Sequence, residues 1–359
     1  MKPLNPYLNP FISIFFLIIF FYACPAPASE PVTVTDSTGR TLTLPRTPER
    51  IACLYAFCGH VVTMLGRGGD MVAIVNGLKK DVLLHQIVPE IKNIPVPSNG
   101  GSINIEALLK TNADIVFLKP ETAAIQAETK KLDQFNLPYF TAGYNTMEEQ
   151  MATIEMMGKL IGRSEKALAY TRYYRDIIDR VGKRTAHLPK EKKVRLYHSI
   201  NESRRTDAPG TIEAEWTKAA GVLNVSAGEG EFLHGKGDKS FADIEQILIW
   251  NPDVIIVNED GVDQEILTDK KWAPVKAVKD KKVFPIPVGI SRWGHPGGLE
   301  TPLAILWTAK TVYPDLFSDI DLQKEMTWFY DNFFSLRLDE AMILKILGNK
   351  GMRKETEQK

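Results

Sequence analysis

Three of the six histidines, His60, His198 and His295, each follow a short apolar run closely, where a strand would end and a loop begin. Tyr55 precedes the first. Tyr197 precedes the second, with Arg204 and Arg205 shortly after it, and Arg292 and Trp293 precede the third. Imidazole suits heme iron, cobalt or nickel. Guanidinium offers fixed donors to anionic oxygens, and Trp or Tyr offers a flat face. Arg204, Arg205, Arg292, Trp293 and His295 together would suit a bulky anionic chelate. His60, His198 and His295 are the candidates for direct metal ligation, and Tyr55 or Tyr197 beside a histidine would suit heme. Each also has a plain alternative: Trp293 could be core, and of the adjacent Arg204 and Arg205 one can point into solvent. The run Arg292-Trp293-Gly294-His295 is the best candidate, because a loop rich in Gly and Pro rarely needs a Trp and a His for folding alone. His85, His187 and His234 read as surface histidines.

Catalytic constellations are missing. The chain has no GxSxG elbow and no HExxH, and no two histidines stand three or four residues apart. Gly230 to Gly237 approaches a P-loop but has Gly237 where a Ser or Thr should hold the metal. Gly66-Arg67-Gly68-Gly69 opens like a dinucleotide fingerprint but has Met71 where the third glycine belongs. Ser291 near His295 lacks an acid. We therefore expect no enzyme and no catalytic residue, with an exported metal-dependent hydrolase as the distant alternative.

The 359 residues include 44 basic and 44 acidic side chains, 44% hydrophobic residues and 25% charged ones. Such a chain is neither disordered nor a small disulfide scaffold, and it lacks the basic excess of a nucleic-acid binder. Lys2 is the only charge in the first 29 residues, and residues 11–23 are apolar except for Ser13 and the tip of Tyr22. That run is too short to span a bilayer and reads as a signal-peptide core, with Ala26-Pro27-Ala28 as the cleavage site. An uncleaved anchor and lipidation at Cys24 are the alternatives; all three export the body of the protein. Cys53 and Cys58 then remain, and a disulfide or two buried thiols are equally open.

Residues 32–44 alternate apolar and polar around Gly39, as a hairpin would. Beyond it, short apolar runs alternate with helical spacing, which argues for parallel α/β sheets. Ile105-Glu106-Ala107-Leu108-Leu109, followed by Asn112-Ala113-Asp114, returns 139 residues later as Ile244-Glu245-Gln246-Ile247-Leu248 and Asn251-Pro252-Asp253. Two homologous lobes follow from this echo. Residues 164–186 between them have helical spacing, with Ser164 as a cap and Leu168, Thr171, Tyr174, Ile178 and Val181 as a stripe. The expected fold is α/β: two Rossmann-like lobes with parallel-rich sheets, joined by a single long helix. The expected division is a signal peptide (1–28), an N-terminal lobe (29–163), a bridging helix (164–188), a C-terminal lobe (189–348) and a flexible tail (349–359).

The hairpin ending RTLTLPRTPERIACLY, the two Glu-helix-Asn-x-Asp-strand units, the long connecting helix and the segments WAPVKAVKDKKVFPIP and HPGGLETPLAILWTAKTVYPDLF resemble class III periplasmic binding proteins. These are the substrate-capture subunits of ABC importers for ferric siderophores, heme and corrinoids. The resemblance covers about residues 31–320. It implies a ligand cleft between the lobes, small closure, and a monomer without intrinsic cofactor in the periplasm. It also implies a separate permease and ATPase as partners, and contact with the membrane only through the permease or a lipid on Cys24. One exposed Glu on each lobe, here Glu106 and Glu245, would dock on permease arginines; a helix-start charge favoured by the macrodipole is the alternative. A metal chelate, first a ferric siderophore, is the expected ligand, with heme, a corrinoid or a nickel or cobalt chelate as alternatives.

Overall fold

A computed structural model describes residues 31–228, 232–236 and 239–353. The expected leader (1–28), Cys24, part of the Gly-rich stretch and residues 354–359 lie outside the described residues.

Val32–Thr35 (β1) and Thr41–Leu44 (β2) form the expected hairpin, with Gly39 at φ +83° in the turn. Ile51–Cys53 (β3), Met71–Ile74 (β4), Ile115–Leu118 (β5) and Tyr139–Thr141 (β6) build the first sheet, all parallel in the order β4-β3-β5-β6. The second sheet holds Arg195–Ser199 (β7), Arg205–Thr206 (β8), Leu223–Asn224 (β9), His234–Lys236 (β10), Lys239–Phe241 (β11), Val254–Val257 (β12) and Val283–Pro285 (β13). Its order is β10-β11-β8-β7-β12-β13, with β9 also on β7; β7, β9, β12 and β13 run parallel. Every residue of β5 and β12 is buried, as expected where helices cover both faces of a parallel sheet.

The helices used below are Ala56–Met64 (α1), Ile105–Leu109 (α2), Met147–Leu160 (α3), Ser164–Thr185 (α4), Ile212–Ala219 (α5), Ile244–Trp250 (α6), Thr301–Val312 (α7), Leu322–Phe334 (α8) and Glu340–Leu347 (α9).

The sequence echo has a structural cause. Asn112, in the turn after α2, and Asn251, the C-cap of α6, lie in the left-handed region, at φ +49° and +42°, where Asn is tolerated. Two residues later, Asp114 Oδ2 accepts the backbone N–H groups of Glu49 and Arg50 at 2.8 and 3.0 Å. Asp253 Oδ2 accepts that of Arg195 at 3.0 Å. Each Asp thus ties the start of its own strand to the neighbouring one. Glu106 and Glu245 take no part in this scaffold: both are exposed and make no side-chain bond among the described residues.

Helix α4 spans about 33 Å at roughly 1.5 Å per residue. Its details differ from expectation. Arg163, not Ser164, occupies the N-cap position, without a side-chain cap bond. Leu168 is exposed and Ile178 is half-buried, while Ala167, Tyr170, Thr171, Tyr174, Ile177 and Val181 face inward. The stripe is rotated because aromatic partners on α8 set the helix face: Tyr170 packs on Phe329 and Phe333. Its hydroxyl donates to the Leu299 carbonyl at 2.7 Å. One apolar cluster runs continuously through both lobes, α4, α7 and α8. Residues 349–353, expected to belong to a flexible tail, pack against the body of the protein. Met352 is buried, and its carbonyl accepts Val82 N–H at 3.2 Å.

Replacing Tyr170 by Ala should lower the unfolding free energy by about 3–5 kcal/mol, the range for deleting a buried aromatic. Denaturant titration checks this; a loss below about 1 kcal/mol would show that α4 does not couple the lobes through this contact.

Candidate functional site

A cleft of about 770 Å³ opens between the lobes. Its N-terminal wall carries Tyr55, His60, Asp81 and Tyr144, and its C-terminal wall carries Arg205, Glu213, Arg292 and His295. Arg353 also lines it.

The loop 289–298 is shaped from beneath. Glu300, at the N-cap position of α7, is fully buried. Its Oε1 accepts Ile290 N–H at 2.7 Å, Ser291 N–H at 3.1 Å and the Tyr330 hydroxyl at 3.1 Å. Its Oε2 accepts the Ser291 hydroxyl at 2.7 Å. Burial raises its pKa against these bonds. Gly294 sits at φ +71°, and an added Cβ there would lie 2.5 Å from the Trp216 ring. The Trp216 indole donates to the Gly294 carbonyl at 2.8 Å.

Trp293 is therefore an anchor of this loop. It is fully buried and its indole points to the Tyr330 hydroxyl at 3.4 Å, so it presents no face to the cleft. Its two neighbours in the run do line the cleft. Arg292 pairs with Glu259 and donates to Asn201 Oδ1 at 2.6 Å. Burial lowers the pKa of this guanidinium. His295 Nδ1 accepts Gly297 N–H at 3.3 Å, which leaves Nε2–H as the donor of a neutral ring. Burial, then the charges of Arg292, Arg353 and Arg205, hold this imidazole well below its ordinary pKa. Three cations thus converge on one neutral ring.

Across the cleft, His60 is held at both nitrogens: Nε2 on Asp81 Oδ2 at 2.8 Å and Nδ1 on the Gly297 carbonyl at 3.3 Å. Burial opposes its charge, but the bond and charge of Asp81 outweigh it and raise the pKa. Tyr55 Oη lies 3.4 Å from Tyr144 Oη, and Tyr144 donates to the Pro296 carbonyl, so the N-terminal wall touches the loop directly. Glu213 is pushed up to about 7 by burial and by the charge of Asp207.

Three further candidates lie off the cleft. Tyr197 is core, bonded to the Ser203 carbonyl at 3.1 Å and packed near Trp250 and Trp272. His198 is fully buried on Asp207, with Nδ1 2.9 Å from Oδ1. Both sit inside β7, whose residues 196–199 are buried, so neither side chain lines the cleft. Arg204 points outward, 3.8 Å from Asp243, while Arg205, one residue on, takes the other face and lines the cleft. His60, His198 and His295 do not form a metal set: no group of three or more His, Cys, Asp or Glu side chains placed for a metal occurs among the described residues. Cys53 and Cys58 are free and buried, and burial pushes both thiols up.

Sequence reasoning missed Asp81, Tyr144, Glu213 and Arg353. The first three fall outside the short segments around His60, His198 and His295 that the sequence singled out. Arg353 was hidden in a segment read as a tail, where Met352 is the one apolar residue among charges.

A family model described as periplasmic binding protein matches residues 51–288. The molybdate-binding protein MolA of Haemophilus influenzae is 28% identical over 331 residues, covering 84% of this chain and 90% of that protein. Its molybdate-bound crystal structure superposes with a TM-score of 0.74 at 25% identity, covering 86% of this chain and 99% of that one. A periplasmic solute binding protein of Veillonella parvula gives a TM-score of 0.75 at 25% identity, covering 90% and 99%. The vitamin B12-binding protein of Vibrio parahaemolyticus is 22% identical over 237 residues, 66% of this chain and 79% of that protein. Members of the family carry a transported ligand rather than an intrinsic cofactor, and they are transport proteins rather than enzymes. Among the described residues no helix is long and apolar enough to cross a membrane. The two lobes, the cleft between them and the match over most of the chain together make this a member of the periplasmic binding protein family, the substrate-binding component of an ABC importer.

Proposed function

We propose that this chain captures an oxyanion, with molybdate as the first candidate, in the cleft between its lobes and hands it to its ABC permease. The observation that carries the reading is the placement of Arg205 and Arg292 on the cleft beside His295. The guanidinium of Arg205 donates no hydrogen bond among the described residues, so its fork is available to anionic oxygens. The likeness to MolA supports the same choice. Binding is a population shift: an anion touching both walls favours the closed form. The continuous core through both lobes keeps that closure small.

A second reading, a ferric siderophore with anionic oxygens, is favoured by the cleft volume of about 770 Å³, which is far more room than a tetrahedral anion fills. The same arginines would serve it. Direct ligation of heme, cobalt or nickel has no support in the placement of the histidines. We also propose that residues 1–28 are the export leader. The exposed, unpaired Glu106 and Glu245 are proposed as the permease-docking carboxylates.

Calorimetric titration of the mature chain with molybdate and with ferric siderophores should show saturable binding of one. Arg205→Gln should weaken it about tenfold or more, as for a lost charge-assisted bond of roughly 1.5–3 kcal/mol. Equal affinity in the variant would sink the reading.

The anion affinity should also fall as pH rises through about 7. Glu213 binds its proton more tightly than an ordinary carboxylate and turns negative in that range, near Arg205. Glu213→Gln should flatten that part of the profile; an unchanged slope would remove Glu213 from the account.

Replacing both Glu106 and Glu245 by Ala should stop uptake in cells while calorimetric affinity stays unchanged. Loss of binding in the double variant would contradict the docking role.

A further inference from the structure

The last described residues cross from one lobe to the other. After α8, α9 lies against the C-terminal lobe: Val288 N–H donates to the Ile346 carbonyl at 3.1 Å. The chain then turns through Asn349 and Gly351, both in the left-handed region. It reaches the N-terminal lobe, where Val82 N–H donates to the Met352 carbonyl at 3.2 Å and Arg353 pairs with Asp81 in an antiparallel bridge. Met352 is buried at that junction. This strap lies beyond the residues 51–288 that the family model matches.

Arg353 ends the strap on the N-terminal wall of the cleft. Its Nη1 lies 3.2 Å from Asp81 Oδ1, with both oxygens of Asp81 almost fully enclosed. The contact is one of charge without an aligned hydrogen bond, since Asp81 Oδ1 has no hydrogen-bond partner. The other Asp81 oxygen holds His60. The guanidinium therefore keeps its donors, is about 29% exposed, and lines the same cleft as Arg205 and Arg292 on the opposite wall. Apart from Arg353, the basic side chains of the N-terminal wall are His60, which is tied at both nitrogens, and Lys119, which pairs with Glu121.

We propose that Arg353 is a ligand-contacting residue: the C-terminal strap carries a cation to the N-terminal wall, where it takes the anion's oxygens opposite Arg205 and Arg292. This rests on the oxyanion reading above. It gives the N-terminal lobe a forked donor of its own, so that one anion bridges guanidiniums fixed to different lobes and draws the walls together.

The test is calorimetric titration of the full mature chain with sodium molybdate, sodium sulfate and a ferric catecholate, comparing wild type, Arg353→Gln and the double variant Asp81→Asn/Arg353→Gln. The double variant removes the carboxylate that Arg353 would leave unpaired, and it carries the test should Arg353→Gln melt. We expect affinity for the bound anion to fall at least tenfold in both variants. Affinity within twofold of wild type in Arg353→Gln, or restored to wild type in the double variant, would reduce Arg353 to a counter-ion of Asp81 and overturn the proposal while the oxyanion reading stands. Failure of wild type to bind any of the three would overturn the oxyanion reading and this inference with it.

Discussion

Glu300 lies out of reach of water at the start of α7, and four donors close on its two oxygens from the loop above it and from Tyr330. A carboxylate buried without such partners would be costly, and its loss would leave the Ile290 and Ser291 N–H groups unpaired. With them it sets the course of the loop that carries Arg292 and His295. The surroundings admit little variation. A Cβ added at Gly289 would fall 1.7 Å from the Tyr330 hydroxyl, and one at Gly298 would fall 2.7 Å from the Ser291 hydroxyl. The cleft wall is thus a consequence of one buried carboxyl group and the packing around it. The same loop reaches across to the other lobe, through the carbonyls of Pro296 and Gly297 that meet Tyr144 and His60.

Charge then decides what the cleft can hold. Arg292 already has a carboxylate partner in Glu259, and Asp81 has claims from His60 and Arg353. Arg205 has none among the described residues, and Arg353 makes only a misaligned contact. An incoming anion therefore meets donors whose hydrogen bonds are not already made inside the protein, in a partly desolvated site where such bonds are stronger than in water. A cationic ligand would meet the positive charge of Arg205 instead, and a neutral one would gain less from its donors. Because the core runs through both lobes without a break, ligand binding has only small motions to recruit; in the docking proposal, the permease reads a modest change across Glu106 and Glu245.

The lobes were legible in the sequence because their strands are continuous apolar runs and because the repeat is stereochemical. Asn112 and Asn251 need the left-handed region, and Asp114 and Asp253 need strand N–H groups. Local rules reach that far. They did not reach the side of the chain on which a polar-looking residue falls. Trp293 and His198 look like ligand groups by composition, yet Tyr330 and Asp207 bury them. Arg204 and Arg205 were a pair that only strand alternation could separate. The half of the site that was missed depends on contacts between distant segments: Asp81 with His60 and Arg353, and Tyr144 with Pro296. Spacing along the chain carries no trace of such meetings.

The central claim is that an oxyanion sits among Arg205, Arg292, Arg353 and His295. The most direct measurement is a crystal structure of the mature chain grown with molybdate, with anomalous differences collected at the molybdenum edge. The account predicts one strong peak between the two walls of the cleft, within hydrogen-bonding reach of Arg205 on one wall and Arg353 on the other. A peak only on the outer surface, or none at millimolar molybdate, would contradict it.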